Sequence, residues 1–183
     1  PRVHVLRVLE VVEDVRVLGG DVGIDEPPPR VHEVLGGDGL AVAPARRGIE
    51  VKEIKSTDAG DFTSVIRVRV EAGKKSHQVA GTLYNRKDPR IVEIDRFKVE
   101  VVPESHLLLI QNEDRPGVIG NVGHVLGDHD INIARMQCSR EERGGHALQI
   151  FGLDAPLPTA VLDQIKKSKH ILSVKVADLS KGL

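Results

Sequence analysis

Tryptophan is absent, and only Phe62, Tyr84, Phe97 and Phe151 are aromatic in 183 residues. The core must therefore come from Val, Ile and Leu, and the stacking platforms on which single-strand binders lay their bases are missing. Cys138 is the one cysteine. It permits no intramolecular disulfide, no cysteine-rich zinc site and no iron–sulfur cluster, and a reducing, cytoplasmic location fits that usage. Neither sign of charge dominates, with 26 Lys and Arg against 27 Asp and Glu. Nucleic acid and anionic membranes are not attracted by the chain as a whole, so any anion site has to be local. No apolar run approaches the roughly 18 residues that a spanning helix needs, and no signal peptide is visible. The chain starts at Pro1 and its one methionine is Met136, so a fragment or a processed product is expected.

A chain of this length suits two small domains, since domains commonly run to about 100–150 residues. The Val-rich stretch Val11–Leu18 reads as a strand stopped by Gly19-Gly20. In "DEPPPRVHEVLGGDG" the prolines predict the start of a short helix that Gly36-Gly37 closes. Ile66, Val68 and Val70 alternate with Arg67 and Arg69, which marks a strand with one buried face. "EAGKK" turns it back into a strand over Ser76–Tyr84, and "RIVEI" and "FKVEVV" follow as strands. The connection between the last two, Asp95-Arg96, is odd for a two-residue hairpin because such turns favour Asn-Gly or Asp-Gly. Local strain or a longer loop is expected there. Pro103-Glu104 breaks the pattern and places the domain boundary, giving 1–104 and 105–183.

Beyond that point the order is strand "HLLLI", helix Pro116–Asp128, strand "INIARMQC", strand "HALQIFGL", helix Thr159–Lys167 and strand "ILSVKVADL". Val118, Ile119, Val122, Val125 and Leu126 share one face of the first helix. The βαββαβ order predicts a four-stranded antiparallel sheet with two helices on one face. The fold class is thus α+β, a small mixed domain followed by a ferredoxin-like one.

Gly117, Gly120 and Gly123 are spaced G-x-x-G-x-x-G and lack the close G-x-G that admits a pyrophosphate, so they are read as small residues packed against a neighbour rather than as a nucleotide site. No catalytic residue and no metal ligand set stands out, and Cys138 is read as a small core residue. Asp114 stands two residues before Pro116 and is well placed to cap the helix. It is also well placed to hold a ligand. A free amino acid needs an acceptor for its ammonium, donors for its carboxylate and a partner for a hydroxyl. Asp114, the N–H groups of Gly117 and Val118, and the amides of Asn112 and Asn132 can supply these in turn. "NRKDPR" gathers Arg86, Lys87 and Arg90 around a turn that is either merely solvated or holds a phosphate or a phosphorylated acid.

"NEDRPGVIGNVGHVLGDHDINIARMQ" resembles the ACT domain of the D-3-phosphoglycerate dehydrogenase family, the NAD-dependent enzymes that open serine biosynthesis. "RGIEVKEIKS", "VAGTLYNRKDPRIVEID" and "FKVEVVPESHLLLIQNEDRPG" resemble the intervening, or allosteric substrate-binding, domain that precedes it, with Asn85 and Arg96 standing where relatives carry glycine. The resemblance runs from Arg47 to Leu179, and residues 1–46 match more loosely. It implies L-serine, or another small amino acid, bound by Asn112, Asp114 and Asn132 with backbone contributions near Gly117 and Ile133. The pocket would be shared by two ACT domains of a homodimer, which can extend to a tetramer. It also implies that NAD and the catalytic residues belong to domains of the full-length family outside this chain. The competing readings are a regulatory subunit of L-serine dehydratase and a free-standing ACT protein that senses another amino acid.

Overall fold

The computed structural model describes residues 30–35, 50–55, 62, 65–72, 74–85 and 87–180, the first two stretches by their backbone course. The chain divides into two compact units, Pro1–Asp95 and Arg96–Leu183. The boundary expected at Glu104 lies inside the second.

In the first unit, β1(Arg30–Leu35) pairs in parallel with β2(Glu50–Lys55) and antiparallel with β3(Ile66–Ala72). Antiparallel pairing continues through β4(Lys75–Tyr84) to β5(Asp88–Ile94), so within this unit the strands run β2-β1-β3-β4-β5. The short helix expected after the prolines is therefore a strand. With a partner on each side, the backbone groups of Arg30–Leu35 are satisfied by pairing, and a weak local helix signal yields to it. The strand expected at Val11–Leu18 lies outside the described residues. Along β3, Val68 is buried and Arg69 exposed. Arg69 donates to Gln78 Oε1 at 2.9 Å, Gln78 Nε2 donates to Glu93 Oε1, and Arg67 meets Glu93 Oε2 at 3.4 Å, a polar ladder across three strands.

The two positions that break the glycine pattern resolve differently. Asn85 takes φ 51 itself, a left-handed conformation that Asn tolerates better than most residues. At the other turn Arg96 is spared, because Asp95 adopts φ 51 in its place. The connection from β5 to β6(Phe97–Val101) is thus two residues long and locally strained. Its carboxylate explains why the strain is held, for it accepts from the Gln78 N–H at 2.9 Å and lies 3.1 Å from His77 Nδ1.

The second unit realises the βαββαβ order as β7(His106–Glu113), α1(Val118–Gly127), β8(Ile133–Arg140), β9(His146–Leu153), α2(Thr159–Lys166) and β10(Ile171–Asp178), with the sheet ordered β10-β7-β9-β8. Leu108, Ile110, Phe151 and Leu153 form the helix-facing side of the sheet, and Val122, Val125, Leu126, Val161 and Ile165 pack onto it. Burying each large apolar side chain here contributes about 1.5–3 kcal/mol. Ile119 departs from the expected face, being 47% exposed. Leu107, Leu109, Leu148 and Ile150 are buried on the opposite side. There Glu104 crosses so near β9 that a Cβ on Gly152 would come within 2.8 Å of it. Gly120 and Gly123 differ from expectation, since a Cβ on either would meet nothing within 4 Å. The helix needs no small residue there for packing among the described residues.

Candidate functional site

β7 carries Asn112 and Glu113 to the end of the sheet and releases Asp114 into the link to α1. That link is tied to the β8–β9 hairpin, where the Asp114 N–H donates to Gly145 O at 2.8 Å. In return Asp114 Oδ2 accepts from the Gly144 N–H at 3.0 Å and from Arg140 Nη1 at 3.1 Å. These bonds hold the carboxyl below its ordinary range, the Gly144 N–H having the largest effect and Arg140 the next. Asp114 does not cap the helix as its position suggested. The N-cap is Gly117 at φ 90, with no side-chain cap bond. That turn needs a left-handed residue, and glycine adopts it without Cβ strain. It starts the helix after Asp114 has already turned toward the hairpin.

Asn112 is buried, and its amide is committed within the chain. Nδ2 donates to Glu113 O at 2.6 Å, and Oδ1 accepts from Gln149 Nε2 at 2.9 Å. The chain of bonds ends at Gln149 Oε1, which is buried and has no partner among the described residues, an acceptor of the kind that costs stability unless a donor reaches it. Strand register sets the floor between these groups. Asn112, Ala147 and Arg140 form one row across β7, β9 and β8, and Ile110, Gln149 and Cys138 form the next. Paired residues project to the same face, here the helix side. A small buried alanine thus separates an amide from a guanidinium beside the start of α1, where Val118 is buried and Gly117 exposed.

Asn132 and Ile133 lie elsewhere. Ile133 pairs with Leu153, whereas Arg140 pairs with Ala147, so Asn132 stands at the end of β8 opposite to Asp114. The eight residues of β8 put on the order of 20 Å between its ends. Asn132 Nδ2 donates to Asp154 Oδ2 at 2.7 Å. The structure therefore groups Asn112, Asp114, Gly117 and Val118 at one end of β8 and leaves Asn132 and Ile133 at the other.

Cys138 corrects the core assignment, since it is exposed on β8. Partial desolvation raises its pKa most, and the nearby Asp114 charge raises it further, so the thiol is kept protonated. Arg140, Gly144 and Gln149 were missed as site residues. The Gly144-Gly145 pair signals a hairpin, but what it brings back to Asp114 depends on strand register. On the basic turn of the first unit, Arg86 lies outside the described residues, Lys87 is exposed, and Arg90 is half-buried. Arg90 donates to Pro89 O at 2.8 Å and its guanidinium lies 5.5 Å from the Tyr84 ring centroid. Among the described residues no group of three His, Cys, Asp or Glu could hold a metal ion, and no helix is long and apolar enough to cross a membrane.

Residues 40–95 match the D-3-phosphoglycerate dehydrogenase intervening domain, and residues 106–170 match the ACT domain. The chain is similar to the D-3-phosphoglycerate dehydrogenase of Bacillus subtilis (strain 168), 36% identical over 151 residues that make up 82% of this chain and 29% of that protein. It is 38% identical over 149 residues to the enzyme of Methanocaldococcus jannaschii, covering 80% of this chain and 28% of the relative. The enzyme of Synechocystis sp. is 33% identical over 127 residues, 69% of this chain and 23% of its own. The chain spans less than a third of the length of these curated relatives. With an intervening domain followed by an ACT domain, it belongs to the D-3-phosphoglycerate dehydrogenase family as a counterpart of that enzyme's C-terminal regulatory region.

Proposed function

We propose that this region senses L-serine on behalf of a phosphoglycerate dehydrogenase, and that two copies of the second unit together build each binding site. The observation that carries the reading is the separation of the polar residues to opposite ends of β8, an edge strand of its sheet. An edge strand presents unpaired N–H and C=O groups and is a natural place for a second chain to add. Antiparallel pairing of β8 with its own copy about a two-fold axis would set Asn132 of the second copy beside Arg140 and Asp114 of the first. Asp114 then accepts from the ligand ammonium, the amide of Asn132 from the second copy reads its polar substituent, and the start of α1 offers N–H groups. Asn112, buried and bonded to Gln149, positions the strand end rather than touching the ligand. The names of the relatives favour a place beside phosphoglycerate dehydrogenase over one beside serine dehydratase.

Titration calorimetry with L-serine on the chain, with sedimentation to fix its state, tests this. We expect a dimer that binds serine, and Asp114→Ala should weaken binding by about 1.5–3 kcal/mol, the worth of a charge-assisted hydrogen bond. A dimer that ignores millimolar serine would sink the serine reading. Unchanged affinity in the variant would instead remove Asp114 from the ammonium's surroundings.

A further inference from the structure

We propose that Arg140 is the carboxylate-binding residue of this site, and that its ion pair with Asp114 is a self-paired arrangement that a zwitterionic α-amino acid opens by taking up both charges. The inference rests on the amino-acid-binding reading above and adds to it the group that would recognise the other half of the zwitterion.

The geometry of the pair argues against an ordinary surface salt bridge. Exposed pairs hold two flexible side chains for little gain, but here one partner is fixed. Asp114 is anchored through its own N–H to Gly145 O, and its Oδ2 is held by the Gly144 N–H as well as by Arg140. Oδ1 has no bond among the described residues, which leaves it able to accept from an ammonium. Arg140 is the mobile partner, with its side chain 56% exposed and only Nη1 given to Asp114. A guanidinium carries five N–H donors in a planar fork that matches a carboxylate, so most of its capacity is unspent in this pair.

The floor supports the same reading. Arg140 and Asn112 flank the small, buried side chain of Ala147, and the adjoining row holds Gln149 Oε1, an acceptor with no partner among the described residues. A ligand at the exposed rim beside Arg140 would have that cation for its carboxylate and the neighbouring Asp114 for its ammonium. The other nearby cations are placed less well. Arg115 faces Glu113 at 3.8 Å, and Arg143 acts on Asp114 only through space. On binding, one internal ion pair would be exchanged for two pairs with the ligand, so net charge in the site is unchanged. Amino acids with a blocked carboxylate would not make that exchange.

The test compares L-serine with L-serinamide, which keeps the ammonium and hydroxyl but lacks the carboxylate. It uses calorimetry on the full 183-residue chain and on Arg140→Gln, with Arg143→Gln as control. Wild type and control should prefer serine by about tenfold or more, and in Arg140→Gln that preference should collapse because serine weakens while serinamide does not. A preference that survives Arg140→Gln overturns the role of Arg140 while leaving the sensor intact. Wild-type protein that binds no amino acid overturns the sensor reading and this inference with it. A second readout needs no substitution: the Arg140 Nε–H resonance of wild type should move with serine and stay with serinamide. A resonance indifferent to saturating serine contradicts the proposal.

Discussion

Asp114 and its neighbour Glu113 are both held below their ordinary values. For Asp114, ordinarily 3.8, the Gly144 N–H and then Arg140 are responsible, against partial desolvation. For Glu113, ordinarily 4.5, the hydrogen bond with His170 at 2.7 Å is the largest cause. A carboxyl depressed in the folded state contributes stability that is complete above its unfolded value and is lost as pH falls through its folded value. Stability should therefore decline progressively below pH 4.5. Asp114→Asn, which cannot take up that proton, should lose less than the wild type below pH 3.8. Denaturant unfolding across a pH series checks this, and parallel acid limbs for the two proteins would contradict it. The sequence singles out Asp114 as an acid with a task. It does not reveal the partners, because Arg140 and Gly144 stand 26 and 30 residues away in the chain and return only through the β8–β9 hairpin.

At the scale of elements, α1 shows what periodicity delivers and where it stops. Val118, Val122, Val125 and Leu126 recur at helical spacing and are all buried, yet Ile119, one position along, falls at the rim of the stripe. Leu126→Ala should therefore cost about 2–5 kcal/mol, as deletions from a packed core do. Ile119→Ala, by contrast, should stay within about 0.5 kcal/mol. Thermal or denaturant melts of both variants measure the contrast, and equal losses would mean that Ile119 is covered in solution. β9 was legible from its apolar run because it is covered on both faces. β1 was not, since its pairing with β2 and β3 is non-local and no residue within "RVHEVL" states it. The turn at Asp95 was legible as a difficulty, and only the Gln78 and His77 contacts show how it is met.

For the whole molecule, the order of the two domains and the antiparallel βαββαβ sheet follow from patterns that run along the chain. The division of the site does not. Asn112, Asp114 and Asn132 are readily named from the sequence, but whether they meet depends on the direction of β8, which separates Asn132 from the other two. The account's central claim, a site shared by two copies, is tested most directly by mixing chains that carry Asp114→Ala with chains that carry Asn132→Ala and following serine binding by calorimetry. Each parent dimer should bind weakly. In a mixed dimer both substitutions fall in one site and the other site is whole, so mixing should restore a population of sites with wild-type affinity. If the mixture binds no better than its parents while the wild type binds serine, the two residues do not join across chains and the shared site is contradicted.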